Sequence, residues 1–372
     1  MLKLDDIENM IDYDFLYELL NTYLPSNYEE ESINFLKKKL QKYNLKSNFS
    51  KGGDVIVNIK KPQKSLNNLK TAAPNKGKIP SILIDAHLDE IHLRIINISD
   101  DGYLIARPFG TIVQFLLGKR VVIHSSLGKK INGVIIIPPA HFVKKDIKDI
   151  NEINNMIEKK YLWLDIGTNN KDEALKLVSI GDPITFPIDI NTLQNNCIVS
   201  KGLDNRIGAF VLSQVLKILN DTKMDNYQIP NIIANFSNRE EIGHAVYLRE
   251  ENFKLDYIMV LDTNIDTSTP VSKSTSYTPV SMGEGPIISK NLETTPKINN
   301  ELEKICEKIK IPYQLAFNSH LGGTNLFSYR KYDTETIFLG VAIRNMHSSI
   351  ETGSLDDIKN LIVLVLNYLL SL

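Results

Sequence analysis

The chain reads as an α/β protein: a mostly parallel sheet covered by helices on both faces, with a small β-rich, barrel- or PDZ-like domain inserted into it. Three observations predict this. Apolar strand-like runs alternate with helical patterns toward both ends of the chain, the interleaving that buries a parallel sheet between helices. From about residue 94 to 188 short β-like runs recur instead, separated by Gly-rich or charged turns. At 372 residues the chain also exceeds the size at which a single core usually splits, so two domains are expected. The expected division is 1–93 with 189–372 for the α/β domain, and 94–188 for the insertion.

In chain order, residues near 5–45 predict helix, because apolar positions in DFLYELLNTYL and ESINFLKKKLQKY recur at spacings of three and four. DVIVNIK and SILIDAHL predict strands. Between them KPQKSLNNLKTAAPNKGKIP is polar, carries Pro, Asn and Gly, and has no apolar period; it predicts a flexible insertion between neighbouring strands. LRIINI, YLIARPF, KRVVIHS, NGVIIIP, WLDIG and DPITF predict the strands of the inserted domain. Helical signals return in IGAFVLSQVLKILN and ELEKICEKI, and NIIANFS, YIMVLDT and TETIFLGVA predict strands interleaved with them. The last segment, LDDIKNLIVLVLNYLLSL, is strongly apolar. Its charges at Asp356, Asp357 and Lys359 and its length suit a helix buried against a sheet better than a membrane span.

Composition excludes several function classes. Hydrophobic residues at 42% and charged ones at 23% are ordinary globular values, and a formal net charge of −1 makes no case for nucleic acid or an anionic membrane. The lysines of KKKLQK and KSLNNLK lack aromatic neighbours on which bases would stack, and predict a solvated face. No apolar run approaches the ~20 residues that cross a bilayer, and the acidic start MLKLDDIENMIDYD lacks the apolar core of a signal peptide. Cys197 and Cys306 stand far apart without metal-ligand spacing. A reduced, cytoplasmic setting is expected, with both thiols packed.

Five acidic or imidazole clusters carry the chemistry. His87 and Asp89 in SILIDAHLDEIHL lie two apart at the end of an apolar run, so strand alternation puts them on one side. The others are Asp204 in KGLDNRIG, Glu240 and Glu241 in NFSNREEIG, Asp262 in YIMVLDTN, and His347 in RNMHSS. Each follows a strand-like run or sits near a turn, where an α/β sheet presents functional groups at the carboxyl ends of its strands. Zinc takes imidazole nitrogen and carboxylate oxygen at about 2.0–2.2 Å. A pair of ions about 3.5–4 Å apart needs a bridging carboxylate, terminal ligands on each ion and a nearby base. Asp204 could bridge, His87 and Asp262 complete one ion, and Glu241 and His347 the other, which leaves Glu240 as the base. Asp89 is placed to orient His87 through its other ring nitrogen.

Each cluster taken alone also has a plainer reading. The Glu pair could be a solvated helix start, Asp262 a turn cap, His347 a loop histidine, and Asp204 an N-cap for IGAFVLSQVLKIL. In sequence order, however, the clusters resemble the dinuclear aminopeptidases that assemble as tetrahedral particles, the TET family of glutamyl, lysyl and deblocking aminopeptidases. FLLGKRVVIHSSLGKKINGVIIIPPAHF, YLWLDIGTNNKDEALKLVSIGDPITF, IPYQL, GGTNLF and HSSIETGSLDDI extend the resemblance over most of the chain. It implies His87, Asp204, Glu241, Asp262 and His347 as metal ligands, Glu240 as general base and Asp89 as the residue orienting His87. It also implies peptide substrates with a free N-terminus and two divalent metal ions, zinc first, with cobalt or manganese suited to the same ligands. In that family the inserted domain mediates dimers and higher assembly. A homo-oligomer, from dimer to dodecamer, is therefore expected, with Gln114 and GTIVQFLLGKR near an interface.

Three departures stand out. GHAVYL after the Glu pair is about two residues shorter than the family's Gly-rich turn and puts His244 at the rim. GGTNLF has Asn325 where the family commonly has Asp, and His92 replaces a small residue. None removes an expected ligand; all bear on substrate preference and rate. The expected reaction is hydrolysis of an N-terminal peptide bond by a two-metal-activated water with Glu240 as base. The alternatives are a related dinuclear hydrolase (dipeptidase, carboxypeptidase or deacylase) and a non-catalytic homologue.

Overall fold

The computed structural model describes residues 1–28, 30–60, 79–139, 141, 154–155, 158–243, 254–272, 277–317 and 323–372. The polar segment expected to form a flexible insertion falls almost wholly outside these residues. After short helical turns at Leu4–Ile7 and Glu8–Met10 come helices α1 (Tyr13–Leu20) and α2 (Glu30–Lys42). Asp12 caps α1, accepting the Phe15 N–H at 3.2 Å, a use of a short acidic side chain that satisfies an orphan helix donor.

Strands β1 (Ser47–Phe49), β2 (Val55–Ile59) and β3 (Ser81–His87) follow. The chain then leaves the sheet for β4 (His92–Ile98), β5 (Leu104–Phe109), β6 (Arg120–His124), β7 (Lys130–Ile135), β8 (Leu162–Asp165) and β9 (Pro183–Thr185). These six close into a barrel in the order β4-β5-β8-β7-β6-β9. Closure removes the exposed edges that such short strands would otherwise present. The barrel has its own core, with Leu93, Ile95, Ile123, Leu164 and Phe186 buried together.

The chain returns through β10 (Asn191–Leu193), β11 (Cys197–Ser200) and α3 (Leu203–Asn220). It continues through β12 (Asn231–Ser237), β13 (Tyr257–Ile265), β14 (Ile287–Ser289), α4 (Pro296–Ile309), β15 (Gln314–Ala316), β16 (Glu335–Ile343), β17 (Glu351–Ser354) and α5 (Leu355–Leu369). The main sheet has eight strands in the order β1-β2-β12-β3-β13-β16-β14-β15. Its centre, β12-β3-β13-β16, is parallel; β2 pairs antiparallel with both β1 and β12, and β14 runs antiparallel to β16 and parallel to β15. The sheet is thus mixed, parallel where it is most buried.

Alternation along β3 divides the faces. Ile82, Ile84 and Ala86 enter the large core with α1, α3 and α5, whereas Leu83 joins Ile233, Ile258, Val260, Leu326, Tyr329 and Phe338 on the opposite face. A 3₁₀ helix, Asn325–Lys331, lies over that second face. The C-terminal segment is the buried helix α5, and among the described residues no helix is long and apolar enough to cross a membrane.

Candidate active site

The parallel strands end together, and their ends bring the five clusters to one place. In register, His87 on β3 faces Ser237 on β12, and Asp262 on β13 faces Gly340 on β16. A Cβ at position 340 would come within 1.9 Å of the Asp262 carbonyl, so only glycine lets β16 seat that stretch of β13. Asp204 lies at the start of α3, where it and Asn205 depart from helical angles across a cis peptide. Asn205 anchors this corner, donating to the Leu261 carbonyl at 2.8 Å. Asn205 Oδ1 accepts the Gly208 N–H at 2.9 Å, capping the regular part of the helix, so Asp204 is free of the capping role and turns into the site.

His87 Nε2 lies 3.3 Å from Asp204 Oδ1, 3.6 Å from Asp262 Oδ1 and 3.8 Å from Glu240 Oε2. His347 Nε2 lies 3.3 Å from Asp204 Oδ2 and 3.5 Å from Glu241 Oε2. Two groups of potential cation ligands result, His87–Asp204–Asp262 and Asp204–Glu241–His347, and they share Asp204. His87 Nδ1 is 3.1 Å from the Asp89 backbone oxygen. A carbonyl can only accept, so Nδ1 carries the hydrogen and Nε2 faces the carboxylates.

The Asp89 carboxylate is also 3.4 Å from Nδ1, but its better-formed contacts lie elsewhere. It accepts the Glu240 N–H at 3.0 Å and the Glu241 N–H at 3.2 Å, with Ser26 Oγ donating to it as well. These two amides open the 3₁₀ turn Glu240–Ile242, whose dipole favours an anion there. Asp89 therefore fastens the turn that carries the Glu pair. Arg239, just before that turn, and His347 itself both hold left-handed backbones, at φ 72° and 60°. Such angles are rare for large side chains and persist only where surroundings enforce them.

Glu351 carries no signal of its role in the sequence. One of its oxygens accepts the His347 N–H at 2.9 Å and the other the Asp204 N–H at 3.1 Å, so one buried carboxylate ties together two of the gathered residues. Burial and the nearby Asp204 raise it to about 8. Within the site, burial followed by Asp204 and Glu240 lifts the Glu241 carboxyl well above its ordinary range. Burial lifts Asp262 to about 6, with Asp204 and Glu240 adding to the rise and His87 opposing it. Asp204 goes the other way: burial is outweighed by its contacts with His347 and His87, which hold it low. Glu241 Oε1 is buried without a hydrogen-bond partner among the described residues. Unsatisfied carboxylate oxygen and crowded acids are what a divalent cation would satisfy.

His87, Asp204, Glu240, Glu241, Asp262 and His347 all line a cavity of about 680 Å³, which Asp89 and Glu351 do not. The barrel contributes Gly110 and Phe115 to its wall, and Thr111 Oγ1 donates to the His347 carbonyl at 2.6 Å. The run containing Gln114 therefore sits beside the site. His92 is buried and stacked on Phe109, ring centres 5.4 Å apart, and burial aided by Arg94 pushes it down to about 4; it packs the barrel and does not line the cavity. Asn325 lies behind the wall, and His244 lies outside the described residues.

The architecture is that of a TET aminopeptidase. A TET aminopeptidase from a marine sediment Thaumarchaeota archaeon superposes with a TM-score of 0.80 at 25% identity, covering 97% of each chain. The TET1 peptidase of Pyrococcus horikoshii does so with a TM-score of 0.76 at 25% identity, over 97% of this chain and 99% of that one. The lysyl aminopeptidase of Pyrococcus furiosus is 24% identical over 293 residues, 78% of this chain and 81% of that protein. Residues 67–364 match the family described as M42 glutamyl aminopeptidase, and the chain belongs to it. It is a peptide hydrolase of the aminopeptidase class.

Proposed function

We propose that this protein removes the N-terminal residue from peptides with a free N-terminus, with two divalent cations held by His87, Asp204 and Asp262 and by Asp204, Glu241 and His347. The observation that carries this reading is the sharing of Asp204 between two groups of nitrogen and oxygen donors. The donor set fits: four carboxylates crowd two imidazoles, and one carboxylate oxygen has no partner among the described residues. Zinc suits that mixture, and cobalt or manganese would take the same ligands. Two bound cations would supply Lewis acidity, polarising the scissile carbonyl and acidifying a water.

The chain's own residues do the rest. Glu240 borders the cavity within reach of His87; it takes the proton of the attacking water and passes it to the leaving amine. Asp89 holds Glu240 and Glu241 in place through their backbone N–H groups and, through its backbone oxygen, fixes the His87 tautomer. Residues 1–93 with 189–372 form the catalytic domain, and 94–188 serve assembly. The TET1 peptidase of Pyrococcus horikoshii is described as assembling into a tetrahedron or a large octahedral shell, which supports a homo-oligomer here. A cytoplasmic setting belongs to the same reading and rests on the scarcity of cysteine.

The test is a panel of aminoacyl-nitroanilides with added zinc, cobalt or manganese, run beside acylated amino acids and C-terminally extended peptides. Cleavage confined to free N-termini and requiring a divalent cation is expected; cleavage of the acylated substrates instead would move the protein to the deacylases. In parallel, Asp204→Ala should lose both ions by metal analysis. Two ions retained at full occupancy would contradict the shared carboxylate.

A further inference from the structure

Asn325 stands where the resembled family commonly has Asp, yet a carboxylate is present within hydrogen-bond reach of it. Asp85, on β3 two residues before His87, is fully buried and faces away from α3 and α5. Four donors converge on it. Its Oδ1 accepts from Asn325 Nδ2 at 2.9 Å and Ser237 Oγ at 2.9 Å, and its Oδ2 from Asn235 Nδ2 at 2.7 Å and the Tyr329 hydroxyl at 2.7 Å. Asn325 Nδ2 also lies 2.8 Å from Ser237 Oγ.

These contacts join three pieces of the site. β3 ends in His87, β12 runs through Asn235 and Ser237 into the turn bearing Glu240, and Asn325 and Tyr329 belong to the 3₁₀ helix over the second face. Thr324, Leu326 and Phe327, around the start of that helix, line the cavity. We propose that Asp85 is a positioning residue for substrate: its carboxylate, on the strand, and the amide of Asn325, behind the cavity wall, lock the wall against the strands that present His87 and lead to Glu240.

The polarity of the pair follows from the donors. Position 85 offers four donors to a negative charge, whereas the side-chain oxygen of Asn325 has no partner among the described residues. A charge at 325 would therefore be poorly compensated, and with Asp85 opposite it would meet a second carboxylate in a dry site. In Asp85→Asn combined with Asn325→Asp, the amide introduced on β3 would keep its oxygen toward Asn235 and Tyr329 and aim its nitrogen at the carboxylate introduced on the 3₁₀ helix. That restores the central contact though not the full donor set.

The test is this cycle in the full-length protein: Asp85→Asn, Asn325→Asp and the pair together, each measured for urea midpoint, KM and kcat. The kinetic arm rests on the aminopeptidase reading, and a metal-loaded wild type inactive on every substrate would overturn that reading while the urea arm still tested the pair. Asn325→Asp should raise KM at least ~tenfold with kcat within ~threefold, and the double variant should recover at least ~threefold of that loss, as coupled neighbours do. Urea midpoints should rank wild type, then Asp85→Asn, then the double variant, then Asn325→Asp. Should Asn325→Asp fail to fold, the double variant is expected to fold with a KM between that of wild type and about tenfold above it. A wild-type KM in Asn325→Asp, or a double variant no better than that single one, overturns the proposal.

Discussion

Two buried charge clusters lie on either side of the Asp204 corner, and they are built on opposite plans. In one, Glu90 is met by Lys201 Nζ at 2.6 and 2.8 Å, Arg206 Nη2 at 3.1 Å and the Leu24 N–H at 2.8 Å. In the other, Asp204, Glu241 and Asp262 gather around two imidazoles, with no lysine or arginine ion-paired to these three among the described residues. Lys201 and Arg206 flank Asp204 in sequence, yet both turn to Glu90. A buried charge must be compensated. The first cluster is closed by the chain's own cations, and the second, on the proposed reading, is completed by cations from outside. That contrast separates a structural cluster from a reactive one more sharply than burial does, since both are buried.

The open cluster breaks most severely at Glu240. Glu240→Gln keeps the shape and the shared Asp204 but removes the proposed base, so kcat should fall on the order of 10²–10⁴-fold, with metal content unchanged by elemental analysis. Near-normal turnover would show that the proton goes elsewhere. The closed cluster breaks at Glu90, and there the loss should be in stability. Glu90→Gln strands the buried Arg206 guanidinium and takes the counter-charge from Lys201, which burial and Arg206 already lower to about 7; losing such a partner costs about 3–5 kcal/mol, read as a lower urea midpoint with kcat retained in the folded fraction.

The two clusters also differ in acid. Burial works against the Glu90 carboxylate, but Arg206 and Lys201 outweigh it and hold the group at about 2, below its ordinary value of 4.5. Because the folded value is the lower one, the unfolded chain binds the proton first as pH falls. The stability from this group is therefore complete above about 4.5 and lost as pH drops through about 2. Urea midpoints should decline across that window in the wild type and more shallowly in Glu90→Gln. Equal slopes would mean that other carboxylates dominate.

How much of this was legible depends on how local each signal is. His87 and Asp89 are read from strand alternation, and Asp204, Glu240, Glu241, Asp262 and His347 from segments whose order resembles a known family. The structure brings the five expected ligands and the expected base into one cavity. The barrel strands were legible because Gly-rich and charged turns punctuate short apolar runs. Strands such as β14 and β15, at 3 residues each, carry too little pattern, and with β1 they make the sheet's flanks unreadable. Glu351 and Asp85 were missed for a different reason. Glu351 joins the nearby His347 amide to the Asp204 amide 147 residues away, and Asp85 holds the Asn325 side chain 240 residues away; nothing within a short window announces a carboxylate whose task is to hold backbone or amide groups. Asp89 shows the limit inside a motif: its place beside His87 was readable, but its grip on the Glu240 and Glu241 amides requires the fold.

The smallest perturbation asks how tightly the barrel is coupled to the open cluster. Gly110, on the barrel's loop, holds φ +73°, and a Cβ there would come 2.6 Å from both Glu241 Oε2 and Ile91 Cγ2. Gly110→Ala should push the Glu241 carboxylate aside and weaken binding at the proposed Asp204–Glu241–His347 cation site by about 10-fold, as displaced supporting contacts do, leaving the proposed His87–Asp204–Asp262 site tight in a metal titration. Backbone strain alone could also move the loop, and Gly128 separates the two causes. It has a similar φ of +79° in the turn between β6 and β7 with nothing within 4 Å of its Cβ position. Gly128→Ala should carry the strain without the displacement, lowering stability slightly and leaving both affinities intact. Equal losses in the two variants would mean that the barrel acts on the site through its own stability rather than through the contact at Gly110.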